Sequence, residues 1–225
     1  MCLTFALTAL TVAPWMIRNR VSLGCFVVTT DARALWKANN VNTYRVLTHG
    51  GWIDNVPGIP GAPLTPQDAW ALWLRTGRYT AEDECSQMDY YSHKTHAFWV
   101  HHFGAKVRLA FLSGQMLWQP SVVETTGRPN AGTFIDRLRT STEPAYVIPL
   151  YVLGIIGLFV VPRAFAVLAI LLLAYQTAVA MIFVGVTRYR VPWDFLICVL
   201  ASAALLALAR RLAENRVLRR PRLET

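Results

Sequence analysis

Two arginine pairs flank apolar stretches of this sequence: Arg18 and Arg20 follow one in PWMIRNR, and Arg188 and Arg190 precede another in TRYRVPW. A guanidinium presents a rigid fork of N–H donors that matches phosphate oxygens two at a time. At the edge of a membrane, such pairs can hold the phosphate or pyrophosphate of a lipid-linked ligand. They can equally snorkel to ordinary head groups or pair with acidic residues, and residue type alone leaves both readings open.

Other residues carry weaker signals. Asn39 and Asn40 in LWKANN can orient a sugar through their amides, or simply build a turn. Asp54 is a lone acid in a Gly- and Pro-rich segment, free to approach a ligand. Glu82, Asp83 and Glu84 are consecutive, so on a helix they point to different faces; they read as a solvated helix start that favours the N-terminal dipole. Asp89, Tyr90 and Tyr91 form a candidate sugar-contacting patch, although tyrosines are also common at helix and membrane boundaries. His93 and His96 share a helix face, but His101 and His102 add no recognised zinc spacing, so interfacial or solvent-facing histidines are expected. A divalent metal is possible but not indicated, and no cofactor is implied.

The elements that must position these groups belong to a membrane protein. Hydrophobic residues make up 54% of the 225, and charged residues only 16%. No charged side chain lies between Glu143 and Arg163, or between Arg163 and Arg188, and a third apolar run extends from Val191 to Ala209 with Asp194 in its first turn. Each is about 20 residues, enough to cross roughly 30 Å of hydrocarbon as helix. The opening stretch, Cys2 to Met16, is apolar and shorter; it reads as part of a transmembrane helix rather than a signal peptide, which would carry a basic start. The expected architecture is an α-helical polytopic membrane protein: residues 1–16 a partial transmembrane helix, 17–144 a mixed, mostly helical extracytoplasmic or interfacial region, 145–209 three transmembrane helices, and 210–225 a basic cytoplasmic tail.

Orientation follows from that tail. Arg210, Arg211, Arg216, Arg219, Arg220 and Arg222 place the C-terminus in the cytoplasm of a plasma-membrane protein, and counting spans back puts Ile17 to Pro144 outside. Both arginine pairs then lie on the side where positive charge is disfavoured. The tail itself needs no partner beyond anionic lipid, so nucleic acid is not expected. In the external region, VSLGCFVVT (Val21 to Thr29) is expected as a short strand, and Gly50 to Pro66 as irregular chain. A helix should run from Thr65-Pro66 to about Gly77, with Thr65 as cap, and another from about Ala81 to Trp118, broken near Gly104. Its last part, Val107 to Trp118, reads as an amphipathic helix lying in the interface. Cys2 and Cys198 fall in spans; Cys25 and Cys85 fall outside, where a disulfide is permitted and two free buried thiols are the alternative.

Three stretches carry a family resemblance: PWMIRNR with the following LWKANN, FWVHHFGAKVRLAFLSGQMLWQP, and TRYRVPWDFLICVLASAALL before the basic tail. In order and spacing they resemble the C-terminal part of the GT-C type polyprenyl-phosphate-sugar-dependent glycosyltransferases, the superfamily of dolichyl-phosphate-mannose protein mannosyltransferases and aminoarabinose transferases. The resemblance implies transfer of a sugar from a polyprenyl-phosphate carrier by an inverting displacement, with a carboxylate deprotonating the acceptor and basic residues stabilising the departing lipid phosphate. Arg18, Arg20, Asn39, Asn40, Arg188 and Tyr189 match family positions. The family's catalytic aspartate lies in a first external loop, upstream of anything matched here, so no carboxylate of this chain is assigned as the base. The expected partners are the lipid-linked sugar, membrane lipids, and a second membrane protein if the missing half comes from elsewhere. The contrasting expectation is a non-catalytic accessory module that binds lipid phosphate or a partner membrane protein.

Overall fold

Long apolar runs poor in charge give a chain built of helices. In the computed structural model, described for residues 2–28, 32–60, 62, 66–77, 84–121 and 134–218, no strand occurs among those residues. The chain divides into two units, Met1–Leu109 and Ala110–Thr225.

The first unit opens with α1 (Cys2–Leu23), which carries Pro14 internally and runs through both Arg18 and Arg20. It stops at Gly24, whose φ of 88° lies in the left-handed region that glycine enters without Cβ strain. Its N–H closes back on the Arg20 carbonyl at 3.1 Å. The expected strand at Val21 to Thr29 is therefore not formed: Val21 to Leu23 complete the helix, the chain from Gly24 to Val28 is irregular, and Thr29 lies outside the described residues. Side chains of α1 take the hydrogen bonds a sheet would have supplied. Buried Asn19 donates to the Val27 carbonyl at 2.8 Å, and Trp15 Nε1 to the Val28 carbonyl at 2.9 Å.

Next come α2 (Ala32–Lys37), α3 (Thr43–Thr48) and a single 3₁₀ turn at Ile53–Asn55, the one ordered interruption of the Gly/Pro segment among the described residues. Helix α4 (Pro66–Thr76) begins at the expected proline, and Thr65 lies outside the described residues. Helix α5 (Glu84–His101) is followed after His102 by α6 (Phe103–Trp118), so the expected break falls two residues before Gly104; the expected start near Ala81, with Glu82 and Asp83, is outside the described residues.

Helices α2 and α5 pack along each other. Ala32, Trp36, Val56 and Tyr91 form the core between them, with the Trp36 and Tyr91 rings 5.5 Å apart. Tyr91 is thus a core side chain rather than part of a sugar-contacting patch, and Tyr90 meets it edge-on at 5.2 Å. A disulfide joins Cys25 to Cys85, Cα atoms 5.8 Å apart, which settles the alternative left open by the sequence.

In the second unit, α7 (Phe134–Leu158), α8 (Arg163–Ile182) and α9 (Thr187–Leu218) are long and apolar enough to cross a membrane by length and composition, over Ser141–Leu158, Arg163–Ile182 and Thr187–Asn215. Helix α1 is not one of these three. Helix α7 starts well before the expected span, and α9 continues past Ala209, so the first residues of the basic tail are helical. Helices α7 and α9 pack most extensively. A Cβ added at Gly157 would sit 2.0 Å from the Leu200 carbonyl oxygen, and one at Gly154 would meet Ile197 Cγ2 at 3.1 Å. Small residues let two backbones approach where lipid offers no hydrophobic driving force between helices. Gly185, before α9, lies equally close to the Ser113 carbonyl of α6.

Candidate functional site

Among the described residues each unit holds a buried or half-buried cationic node, and the sequence-predicted residues distribute around them unequally. In the second unit the node is Arg190, 7% exposed, one turn into α9. A cation there opposes the positive end of the helix dipole, and Asp194, one turn further on, offsets it: Nε donates to Oδ1 at 2.9 Å. Nη1 donates to the Gln119 carbonyl at 2.9 Å and the Leu117 carbonyl at 3.4 Å, and also to the Tyr151 hydroxyl. Leu117 and Gln119 lie at the C-terminal end of α6, where carbonyls have no intrahelical partner, so the guanidinium acts as that helix's cap. Trp118 adds a bond from Nε1 to Thr177 Oγ1 at 3.1 Å and packs edge-on against Tyr151 at 6.0 Å. Arg190 thereby ties α6, α7 and α9 together at one level.

Its neighbour in the TRYR motif is placed differently. Arg188 is exposed and stacks on Tyr189, 5.0 Å from the ring centroid, with Nη2 donating to the Tyr189 hydroxyl at 3.2 Å. The Tyr189 carbonyl accepts from Gln176 Nε2 at 2.9 Å, which fixes the backbone beneath the guanidinium. An exposed cation at the N-terminal end of a 32-residue helix concentrates positive potential in one place, the arrangement an anion uses.

The first pair sits at the opposite kind of helix end. Arg18 and Arg20 are in the last turns of α1, where a cation is favoured by the dipole. Arg20 Nη1 donates to the Gly24 carbonyl as part of the helix stop; exposed Arg18 lies 4.8 Å over the Trp15 ring.

The node of the first unit is one the sequence reading missed. Asn39 is fully buried and its Oδ1 accepts from Lys106 Nζ at 2.5 Å and from Trp99 Nε1 at 3.0 Å, while Nδ2 donates to the Leu35 carbonyl at 2.8 Å. Lys106 also lies 5.5 Å from the Trp99 ring centroid. Burial pushes the Lys106 ammonium down to about 8. The available signal was a lysine followed by an apolar helical face, together with an asparagine beside a tryptophan-containing core helix. Asn40, by contrast, is used locally: its Nδ2 donates to the Trp36 carbonyl at 3.0 Å and the Lys37 carbonyl at 3.2 Å, and its Oδ1 accepts from the Asn42 N–H at 2.9 Å, closing α2 and turning the chain. Asp54 is exposed and pairs with Lys37 at 3.6 Å. His93, His96, His101 and His102 are exposed, with His102 against the Phe98 ring at 5.8 Å.

The chain thus brings Arg188, Tyr189 and Arg190 into one end of α9, and Asn39 against Lys106 and Trp99. Compared with known protein families, characterised proteins and solved structures, it finds no match.

Proposed function

We propose that this chain is a membrane glycosyltransferase, or the portion of one that holds the donor, transferring a sugar from a polyprenyl-phosphate carrier on the extracytoplasmic face. The observation that carries the reading is the division of labour in the TRYR motif: Arg188 exposed at the N-terminal end of α9, with Arg190 buried beside it as its brace. In this reading Arg188 contacts the donor phosphate, Tyr189 orients the fork, and Arg190 keeps the helix end in place. In the first unit, taken by itself, exposed Arg18 on Trp15 is a separate candidate for a phosphate contact, and Arg20 is held at the helix stop. Developing negative charge on the departing lipid phosphate is what such a fork stabilises.

The membrane placement proposed here is a plasma-membrane protein with the C-terminus cytoplasmic and Ile17 to Pro144 outside. The Cys25–Cys85 disulfide supports an oxidising compartment for the first unit, and Arg210 and Arg211 after the third apolar run support a cytoplasmic tail.

One observation favours the accessory reading of the same site. Asp194, at the same end of α9, is engaged by Arg190, and in this reading an acceptor's proton is taken by a carboxylate supplied by a partner membrane protein.

The test is binding of polyprenyl phosphate to the full chain in lipid nanodiscs. Arg188→Ala should weaken binding about tenfold, equivalent to about 1.4 kcal/mol, with thermal stability unchanged. Unaltered affinity overturns the assignment. Incubation with a radiolabelled polyprenyl-phosphate sugar then separates the two forms: release of polyprenyl phosphate by this chain alone supports the enzyme, and binding without release supports the module that needs a partner.

A further inference from the structure

Helix α4 presents an apolar side that is exposed among the described residues. At about 100° per residue, Trp70, Trp73 and Leu74 fall on one face of the helix and Arg75 on the other. These apolar residues are 55%, 38% and 65% exposed, and the two indole rings lie against each other at 4.7 Å, forming one continuous apolar surface. Among the described residues no other element packs extensively along α4. Water is a costly neighbour for two adjacent indoles and a leucine, and a paired apolar face of this kind marks a docking surface rather than scattered exposure.

We propose that α4 lies in the head-group layer of the chain's own membrane, with Trp70, Trp73 and Leu74 turned into the lipid and Arg75 toward phosphate and water. Three features select lipid over a protein partner. Helices α7, α8 and α9 give the chain apolar spans of its own, so a bilayer surface is permanently at hand. Tryptophan is the side chain that interfaces favour, an apolar body with an N–H that reaches the carbonyl layer. Finally, the basic residue of the last turn is opposite the apolar face, and the whole chain is net positive by 9, which complements anionic head groups. Such a helix fastens the disulfide-bonded first unit to the membrane surface. The inference rests on membrane placement alone and is independent of sugar transfer.

Site-directed spin labelling tests it on the full chain in nanodiscs of three parts zwitterionic to one part anionic phospholipid. With Cys2 and Cys198 replaced by serine and the Cys25–Cys85 disulfide kept, a nitroxide is placed at Leu74→Cys or at Arg75→Cys. The ratio of collision with oxygen to collision with a water-soluble nickel chelate should be about fivefold higher at the first site than at the second, because oxygen partitions into lipid and the chelate is excluded. Replacing both Trp70 and Trp73 with alanine should bring the ratio at Leu74→Cys down toward that at Arg75→Cys while leaving the disulfide intact. Equal ratios in the parent chain mean that α4 sits in water and overturn the proposal. A label at Leu74→Cys screened from both reagents means that protein covers the face, and overturns it too.

Discussion

The two cationic nodes solve one problem in opposite ways. Arg190 is buried with its counter-charge: Asp194 accepts at 2.9 Å, and backbone carbonyls and the Tyr151 hydroxyl take further donors. Lys106 is half-buried, donating to the Asn39 carboxamide and lying against the Trp99 ring face. The difference follows from the ionisation chemistry of the two side chains. A guanidinium does not shed its proton in proteins, so its burial requires an anion and a full set of acceptors; an ammonium can shed its proton, and burial moves its pKa instead. One node is therefore a fixed brace and the other a titrating group.

The largest effect should come from removing the counter-charge in the fixed node. Asp194→Leu leaves Arg190 buried without its carboxylate, and loss of one partner of a buried pair costs about 3–5 kcal/mol. Replacing both residues, Arg190→Leu with Asp194→Leu, should recover part of that cost, although the carbonyls of Leu117 and Gln119 then lose a cap. A double-mutant cycle on unfolding of the chain in bilayer mimetics reads the coupling. Additive losses would mean that the pair is not a unit, and the contrast with Lys106 would lose its basis.

A smaller loss is expected from the Asn39 node. Asn39→Leu removes the acceptor of two donors and leaves Trp99 Nε1 and Lys106 Nζ with their shared partner gone, at a cost of about 1–3 kcal/mol. Asn39→Asp should act differently on the lysine: a carboxylate at that distance adds an opposite charge beside the ammonium and raises its pKa. Chemical labelling of Lys106 as a function of pH distinguishes them. If Asn39→Asp leaves its labelling midpoint where it was, the carboxamide is not what faces the amine.

What the sequence reveals of these nodes depends on how far apart their members are. The three apolar runs predict α7, α8 and α9, because composition over about 20 residues is a local property. Pro66 marks the start of α4 for the same reason, and Asn40 reads as a turn because its partners lie within four residues. Arg190, however, caps a helix 71 residues away, and Asn39 meets a lysine 67 residues away. Neither pairing leaves a trace in periodicity or spacing, so the sequence alone treats all four arginines alike. The strand expected at Val21 to Thr29 fails for a related reason. Its β-branched and aromatic composition is real, but Gly24 stops α1 in mid-segment and Trp15 and Asn19 satisfy the carbonyls that follow. Tertiary hydrogen bonds from a neighbouring helix outweigh a propensity worth tenths of a kcal/mol per residue.

The smallest effect, and the most specific to the titrating node, is a pH dependence. Unfolded, Lys106 has the ordinary lysine pKa of 10.5; folded, burial lowers it to about 8. Between those two values the unfolded chain binds a proton that the folded chain has released, so stability rises with pH across that window. Below about 8 the amine is protonated in both states and the cost of burying its charge is constant. Because the group is half-exposed, solvent screens much of this, and the slope should be shallow. The difference between the parent chain and Lys106→Met isolates it from other groups titrating in the same range. Met fills the aliphatic volume without the charge, so the variant should be the more stable below pH 8, and the two curves should converge toward pH 10.5. If the Lys106→Met curve runs parallel to the parent from pH 7 to 10.5, the ammonium is solvated, and the two nodes do not differ in kind.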